Sequence, residues 1–302
     1  MKILITGATG FIGHQLSQKL DELGYSISIL TKNLDRSKSL FSENIEKYYW
    51  DPDLNICPVE PVINSDFVIN LAGENVFGLW TKNKKSKIRD SRINSTRALV
   101  GIIKNNPQHK VKKFLSSSAI GYYGDREEEI LCESSGPGKG FLAQTCLNWE
   151  KESTELDNYG VNTIQLRTGI VLGKNGGALK KMSYIYKFGL GGRLSNGKQW
   201  WSWIHIKDFI DIVDFIIKND IKGPLNIVSP YPCRQSDFSS ALARNLKRPN
   251  LALVPAVALK ILMGELALEI LGSRRVNPQK LIDMNFSFNF AELDNALKDI
   301  IG

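Results

Sequence analysis

MKILITGATGFIG, residues 1–13, is the stretch whose reading decides the fold. The apolar run Ile3-Leu4-Ile5 leads into Gly7-Ala8-Thr9-Gly10-Phe11-Ile12-Gly13, and an amphipathic stretch follows from Phe11 to about Leu23. Strand, glycine-rich turn and helix in that order form the entry to a dinucleotide site. Gly7 permits the tight turn, Gly10 lets the backbone approach a pyrophosphate, and Gly13 lets the helix lie close to the strand. The helix N-terminus then turns free N–H groups and a partial positive charge toward the phosphates.

Working outward, strand-like and helix-like segments alternate to about residue 230. Strands are expected at Lys2–Thr6, Ser26–Thr31, Lys47–Trp50, Phe67–Asn70, Lys113–Ser117, Thr163–Arg167 and Leu225–Ile227. Helices are expected at Phe11–Leu23, Lys82–Lys104, Phe141–Asn158 and Ile206–Lys218. Such alternation predicts an α/β fold, a Rossmann-type doubly wound parallel sheet covered by helices on both faces. Beyond residue 230 the segments Gln235–Leu246, Pro255–Leu271, Pro278–Met284 and Ala291–Ile300 read as helical. The expected division is a nucleotide-binding domain over 1–230, with substrate-side insertions near 175–203, and a small helical cap over 231–302.

The chain of 302 residues, with 42% hydrophobic and 23% charged residues, has the composition of an ordinary globular protein able to bury a large core. Cys57, Cys132, Cys146 and Cys233 form no CxxC pair and have no His at ligand spacing, so reduced thiols in a cytoplasmic protein are expected, with no metal. No apolar run reaches the roughly 18 residues of a membrane span, and the apolar start runs into a glycine turn rather than a signal-peptide cleavage site. The net charge of +8 draws on Lys82, Lys84, Lys85, Lys87, Arg89 and Arg92, which share one helix. That helix lacks the interleaved aromatics that stack bases, so a solvated face is expected and nucleic acid is not. A monomer or homodimer acting on a small molecule is the resulting expectation.

The second strand ends Ser28-Ile29-Leu30-Thr31-Lys32, with Arg36 following and Asp35 beyond the strand end. An acid at that strand end would take the ribose hydroxyls of NAD. A hydroxyl followed by cations suits a 2′-phosphate instead, so NADP(H) is expected over NAD(H). Asn70-Leu71-Ala72-Gly73 ends the fourth strand with small residues that let the backbone pass the adenosine half. Arg92 either reaches a cofactor phosphate or packs its helix.

Gly7–Gly13, Asn70–Gly73, Ser116-Ser117-Ser118-Ala119-Ile120-Gly121-Tyr122-Tyr123-Gly124, Arg167–Gly173 and Trp203–Asp208 resemble the extended short-chain dehydrogenase/reductases of the NAD(P)-dependent epimerase/dehydratase family. Leu71–Asn75, Ile88–Arg92, Leu190-Gly191-Gly192 and Trp201–His205 resemble its atypical SDR39U1-like (YfcH-like) branch. The resemblance covers essentially the whole chain. With the residue reading, it implies cofactor contacts at Gly7, Thr9, Gly10, Phe11, Ile12, Gly13, Thr31, Lys32, Arg36, Leu71, Ala72, Gly73, Arg92, Ser116 and Val171.

In active members of that family a Ser or Thr at the end of the fifth strand works with a Tyr-x-x-x-Lys pair on the next helix, the Tyr serving as general acid/base. Ser118, or its neighbour Ser117, suits the first role. Counting back from Glu150, the Tyr and Lys positions fall on Leu142 and Cys146, or on Phe141 and Thr145 in the adjacent register. The usual pair is absent. Tyr122 and Tyr123 follow the fifth strand as possible stand-ins, with Tyr123 the phenol candidate for catalysis, against a role in the pocket wall. Cys146 reads as packing or as a thiol acid/base, and His205 as structural. Arg167 is expected to pair with Glu150 or reach the ligand, and Trp200, Trp201 and Trp203 to offer an apolar wall. The function so implied is NADP(H) binding with oxidoreductase or epimerase-like activity on a small carbonyl or sugar-like substrate. The alternative is a non-catalytic cofactor-binding sensor or scaffold.

Overall fold

Strand β1 (Lys2–Thr6) forms where its apolar run predicts, with Ile3, Leu4 and Ile5 fully buried. The computed structural model describes residues 1–302. Six more strands join β1 in one sheet: β2 (Ser26–Thr31), β3 (Glu46–Tyr49), β4 (Phe67–Asn70), β5 (Lys113–Ala119), β6 (Asn162–Thr168) and β7 (Gly223–Ile227). All pairings are parallel, and the spatial order is β7-β6-β5-β4-β1-β2-β3. Strands covered on both faces must be apolar on both, which is why β1 and β4 read as continuous hydrophobic runs. The chain winds from β1 out to β3, then returns to β4 on the other side of β1. That reversal opens a crevice at the carboxyl ends of β1 and β4, where such sheets bind ligands.

The flanking helices are α1 (Phe11–Glu22), α2 (Leu34–Leu40), α3 (Val59–Ile63), α4 (Lys82–Lys104), α5 (Phe141–Thr154), α6 (Gly177–Lys187) and α7 (Ile206–Lys218). Leu16 and Leu20 of α1 and Phe209, Val213 and Ile216 of α7 bury one face together with Ile3, Ile5 and Ile69. Leu99, Val100 and Ile103 of α4 cover the other face against Leu4, Val68 and Phe114. Both sets follow the three-to-four-residue spacing of a core-facing helix stripe. The doubly wound α/β sheet expected from the sequence is the observed fold.

Several elements depart from the sequence reading for local reasons. Helix α2 has Ser37 as its only buried residue, so it carries no apolar stripe, and the Asn33 side chain caps it by accepting from the Arg36 N–H. The helix starting at Phe141 ends at Thr154 and continues as a tight turn over Glu155–Tyr159, closed by Gly160 in the left-handed region. The apolar stretch Pro255–Leu271 splits at Gly264 into α9 (Ala256–Met263) and α10 (Leu266–Leu271), following α8 (Gln235–Leu246). Helices α11 (Gln279–Asp283) and α12 (Leu293–Ile301) complete the C-terminal region. Trp201 and Trp203 are buried with Phe238 and Leu297, so two of the three tryptophans form core rather than an open wall.

The C-terminal region is tied in by short strands. Cys233–Arg234 pairs with Trp200–Trp201, Ala252–Val254 with Gly192–Leu194, and Arg275–Val276 with Ile130–Leu131.

Candidate functional site

The glycine turn is built as its spacing requires. Gly7 has φ +67°, and a Cβ on it would lie 2.7 Å from the Leu71 carbonyl carbon and oxygen. A Cβ on Gly13 would lie 2.3 Å from the Gly7 oxygen. Gly7 thus sets both the turn and the approach of the β4 end, while Gly13 seats α1 on that turn. Gly10 caps α1 in extended conformation; no side chain caps the helix and its first turn holds no acid. The N–H groups there are left to an anion, and no carboxylate competes for them. Ile12 is half-buried against the core, and the Thr9 carbonyl accepts from Arg36 Nη2 at 3.3 Å. Phe11 packs under a second glycine loop: Cβ atoms on Gly173, Gly176 and Gly177 would come within 2.7, 2.5 and 3.1 Å of its ring. That loop follows Val171, which is itself nearly buried. The repeated glycines at 173, 176 and 177 were the sequence signal for this packing.

At the end of β2 the three residues expected to meet the cofactor separate. Thr31 Oγ1 accepts from the Asn33 N–H at 3.1 Å. Lys32 is held by Asp51 at 2.8 Å and Asp53 at 2.6 Å, which use its charge within the protein. Arg36 has no carboxylate partner and lies against the glycine turn. Asp35 lies exposed beside Lys38, and the acids nearest the β2 end, Asp51 and Asp53, are paired with Lys32.

Behind the turn a buried hydroxyl–amide chain locks the crevice walls together. Thr6 Oγ1 donates to Asn70 Oδ1 at 2.6 Å and accepts from the Ala72 N–H at 3.2 Å. Asn70 Nδ2 and Trp149 Nε1 both donate to Thr96 Oγ1 at 2.8 Å, and Thr96 donates to the Arg92 carbonyl at 2.9 Å. Strands β1 and β4 and helices α4 and α5 therefore share one network with every polar atom satisfied, which fixes geometry strongly. The sequence reading missed Thr6, Thr96 and Trp149; an Asn inside a buried strand was the available signal.

Leu71, Ala72 and Gly73 carry the backbone across Gly7, and Gly73 ends against Arg92, whose Cζ would lie 3.3 Å from a Cβ there. Arg92 Nη1 donates to the Glu74 and Ile88 carbonyls at 3.0 and 2.8 Å, and the guanidinium carbon sits 5.4 Å from the Trp149 ring centre. Arg92 makes no ion pair, and neither Nη2 nor Nε has a protein acceptor. Burial holds its pKa below the usual arginine range, only partly opposed by Cys146 and Glu74.

On the far side of α5 lies an ionic cluster. Arg167 grips Glu150 through Nε at 2.9 Å and Nη2 at 2.8 Å. Ser118 Oγ donates to the same carboxylate at 2.6 Å. Tyr123 is wholly buried; its hydroxyl donates toward Asn226 Oδ1 at 2.7 Å, with the Cys132 carbonyl at 3.1 Å, and accepts from Arg167 Nη1 at 3.0 Å. Burial pushes the Tyr123 phenol up to about 12. Strand alternation buries Ser116 and Ser118 and leaves Ser117 the more exposed of the three. Ser116 Oγ donates only to the neighbouring Ser117 carbonyl. The structure thus brings Ser118 and Tyr123 into one cluster through Arg167, but commits both hydroxyls to protein partners.

At the Tyr and Lys positions counted from Glu150, Leu142 packs on Gly121, where a Cβ would lie 3.3 Å from the Leu142 Cβ, and in the adjacent register Thr145 Oγ1 donates to the Phe141 carbonyl at 2.7 Å. Cys146 is buried, and burial pushes its thiol up to about 11. A thiol held protonated there is neither nucleophile nor base near neutral pH. His205 caps α7 by accepting from the Lys207 N–H, and burial lowers its pKa to about 4. Beyond the N-terminus of α5, marked by Gly140 and Phe141, a cleft of about 750 Å³ opens between the loops around Asp125, Lys139 and Ser195 and the C-terminal region, rimmed by Trp80, Lys139, Lys260 and Glu265.

No helix is long and apolar enough to cross a membrane, and no group of three or more His, Cys, Asp or Glu side chains is arranged to hold a metal. Residues 3–228 match the NAD dependent epimerase/dehydratase family, and residues 254–300 match a domain of unknown function, DUF1731. Epimerase family protein YfhF of Bacillus subtilis is 35% identical over 303 residues, covering 100% of this chain and 98% of that protein. The chloroplastic SDR39U1 homolog of Arabidopsis thaliana is 34% identical, covering 100% of this chain and 87% of that protein. The crystal structure of human epimerase family protein SDR39U1 (isoform 2) with NADPH superposes with a TM-score of 0.89 at 27% identity, covering 100% of this chain and 99% of that one. A UDP-glucuronic acid 4-epimerase from Bacillus cereus, at 19% identity and a TM-score of 0.82, shares the fold. The chain belongs to the NAD dependent epimerase/dehydratase family, among its SDR39U1-like members.

Proposed function

We propose that the protein binds NADP(H) across the β1–β4 crevice and acts as an oxidoreductase or epimerase-like protein on a small carbonyl or sugar-like molecule in the adjoining cleft. The observation that carries this reading is the uncapped, acid-free start of α1, cradled by Gly7 and Gly13, with Arg36 beside it and Asp35 exposed to solvent. Phosphate at such a helix start gains both hydrogen bonds and the helix dipole. Arg36, rather than the ion-paired Lys32, would take a 2′-phosphate, which supports NADP(H) over NAD(H). The NADPH carried by the human SDR39U1 structure supports the same cofactor.

The cofactor supplies hydride chemistry when bound. The chain's own residues orient it: Gly7 and Gly13 admit the pyrophosphate, and the Thr6–Asn70–Thr96–Trp149 network fixes the crevice walls. Ser118 and Tyr123 brace that end through Glu150 and Arg167, leaving Ser117 as the more exposed hydroxyl of the cluster. The four free cysteines support a cytoplasmic setting.

Leu142 and Cys146 favour a second reading, a cofactor-responsive sensor or scaffold without turnover, because neither transfers a proton at neutral pH. Calorimetric titration decides the first point: NADPH should bind with NADH at least tenfold weaker, consistent with loss of one charge-assisted phosphate contact. Absence of heat with either nucleotide refutes the cofactor reading. Oxidation of NADPH that depends on an added carbonyl compound rejects the sensor.

A further inference from the structure

The charges around Arg92 do not cancel. A dinucleotide in a doubly wound sheet places its adenosine over the β2 side of the reversal point and its other half over β4 and β5. Arg92 lies on that second side. It packs on Gly73 just past β4, above the Trp149 ring of α5, and its charge reaches Cys146 one turn earlier on the same helix. Cys146, counted back from Glu150, and Thr145 in the adjacent register are the positions where active family members carry their lysine.

The charged neighbours are few. Glu74 is taken by Lys84 at 2.5 Å, and Asp90 by Arg89 at 2.7 Å. Lys85 pairs with Glu265 at 2.7 Å. Glu150 and Arg167 neutralise each other, and Cys146 stays a neutral thiol. One positive charge is left over, on a guanidinium fixed by two backbone carbonyls with Nη2 and Nε unspent.

We infer that Arg92 makes this site a selective holder of the reduced cofactor. An oxidised nicotinamide ring carries a positive charge and a reduced ring carries none. A fixed, uncompensated cation beside the ring therefore opposes the oxidised form and leaves the reduced form unaffected. In a partly screened crevice, one charge within a Debye length is worth on the order of tenfold in affinity. This rests on the NADP(H) reading above and adds a bias to it: the protein reads the redox state of its cofactor pool, whether or not it turns over a substrate.

The test measures dissociation constants of NADPH and NADP+ for the full chain and for R92M and R92K. The wild type should hold NADPH about tenfold more tightly than NADP+, which also raises the potential of the bound couple by about 30 mV. In R92M the two should fall within about threefold of each other, and R92K should keep the wild-type ratio because it keeps the charge. Loosening of the Glu74 segment weakens both forms alike and cancels in the ratio. An unchanged ratio in R92M, or a wild type that prefers NADP+, overturns the inference while leaving the cofactor reading intact. Binding of neither form overturns both.

Discussion

Glu150→Gln should be among the most damaging single substitutions in the chain, although it removes only a charge. Its carboxylate receives Arg167 through two hydrogen bonds at 2.9 and 2.8 Å and Ser118 through a third, and Arg167 is 3% exposed. A glutamine in its place still accepts from Ser118 but leaves the guanidinium buried without a counter-ion, which costs about 3–5 kcal/mol. Arg167→Met removes the other partner and also the donor to Tyr123 and to the Glu133 carbonyl, with a cost of similar size, about 3–5 kcal/mol. The double variant Glu150→Gln with Arg167→Met leaves no buried charge. It should therefore cost less than the sum of the two single changes, by at least about 2 kcal/mol of coupling. Urea unfolding followed by tryptophan fluorescence measures all three, with the denaturant slope checked for constancy. If the double variant is additive within about 0.5 kcal/mol, the pair does not act as a unit and the reasoning fails.

Three further outcomes follow from the same geometry. Gly13→Val places a side chain into the Gly7 carbonyl, so NADPH affinity should fall at least tenfold together with the melting temperature; unchanged calorimetry would contradict the close helix seat. Arg36→Ala should weaken NADPH by about tenfold and NADH little, whereas Lys32→Ala should change NADPH by less than about threefold, because Asp51 and Asp53 already use that lysine. For His205, burial lowers the folded pKa to about 4 from 6.5, so the unfolded chain binds the extra proton between those values. Stability should rise with pH through that window, by about 3 kcal/mol, and be flat above it, with the slope reduced in His205→Asn by urea titrations at several pH values.

The sequence carried the sheet because its strands are short apolar runs and its glycines are placed by hard steric need; Gly7 and Gly13 have no alternative residue at their contacts. The absent Tyr and Lys were equally legible, since Leu142 and Cys146 can be counted from Glu150. What stayed hidden depends on distant partners. Lys32 looks free until the loop bearing Asp51 and Asp53 folds onto it. Ser118 looks available until strand alternation turns it toward Glu150. Arg92 reads as one more basic residue on α4; its lack of a carboxylate is visible only after every neighbouring acid has found another base.

The three short pairings that tie the C-terminal region to earlier segments are nested along the chain. Trp200–Trp201 with Cys233–Arg234 closes the innermost loop, Gly192–Leu194 with Ala252–Val254 the next, and Ile130–Leu131 with Arg275–Val276 the outermost. Each closure shortens the free chain that the next must bring together, which lowers the entropy lost at that step. During synthesis, at roughly 5–20 residues per second, the partners emerge in the same inside-out sequence. The cap can therefore assemble as a zipper in step with translation, and Ile130–Leu131 is the last edge to find its mate.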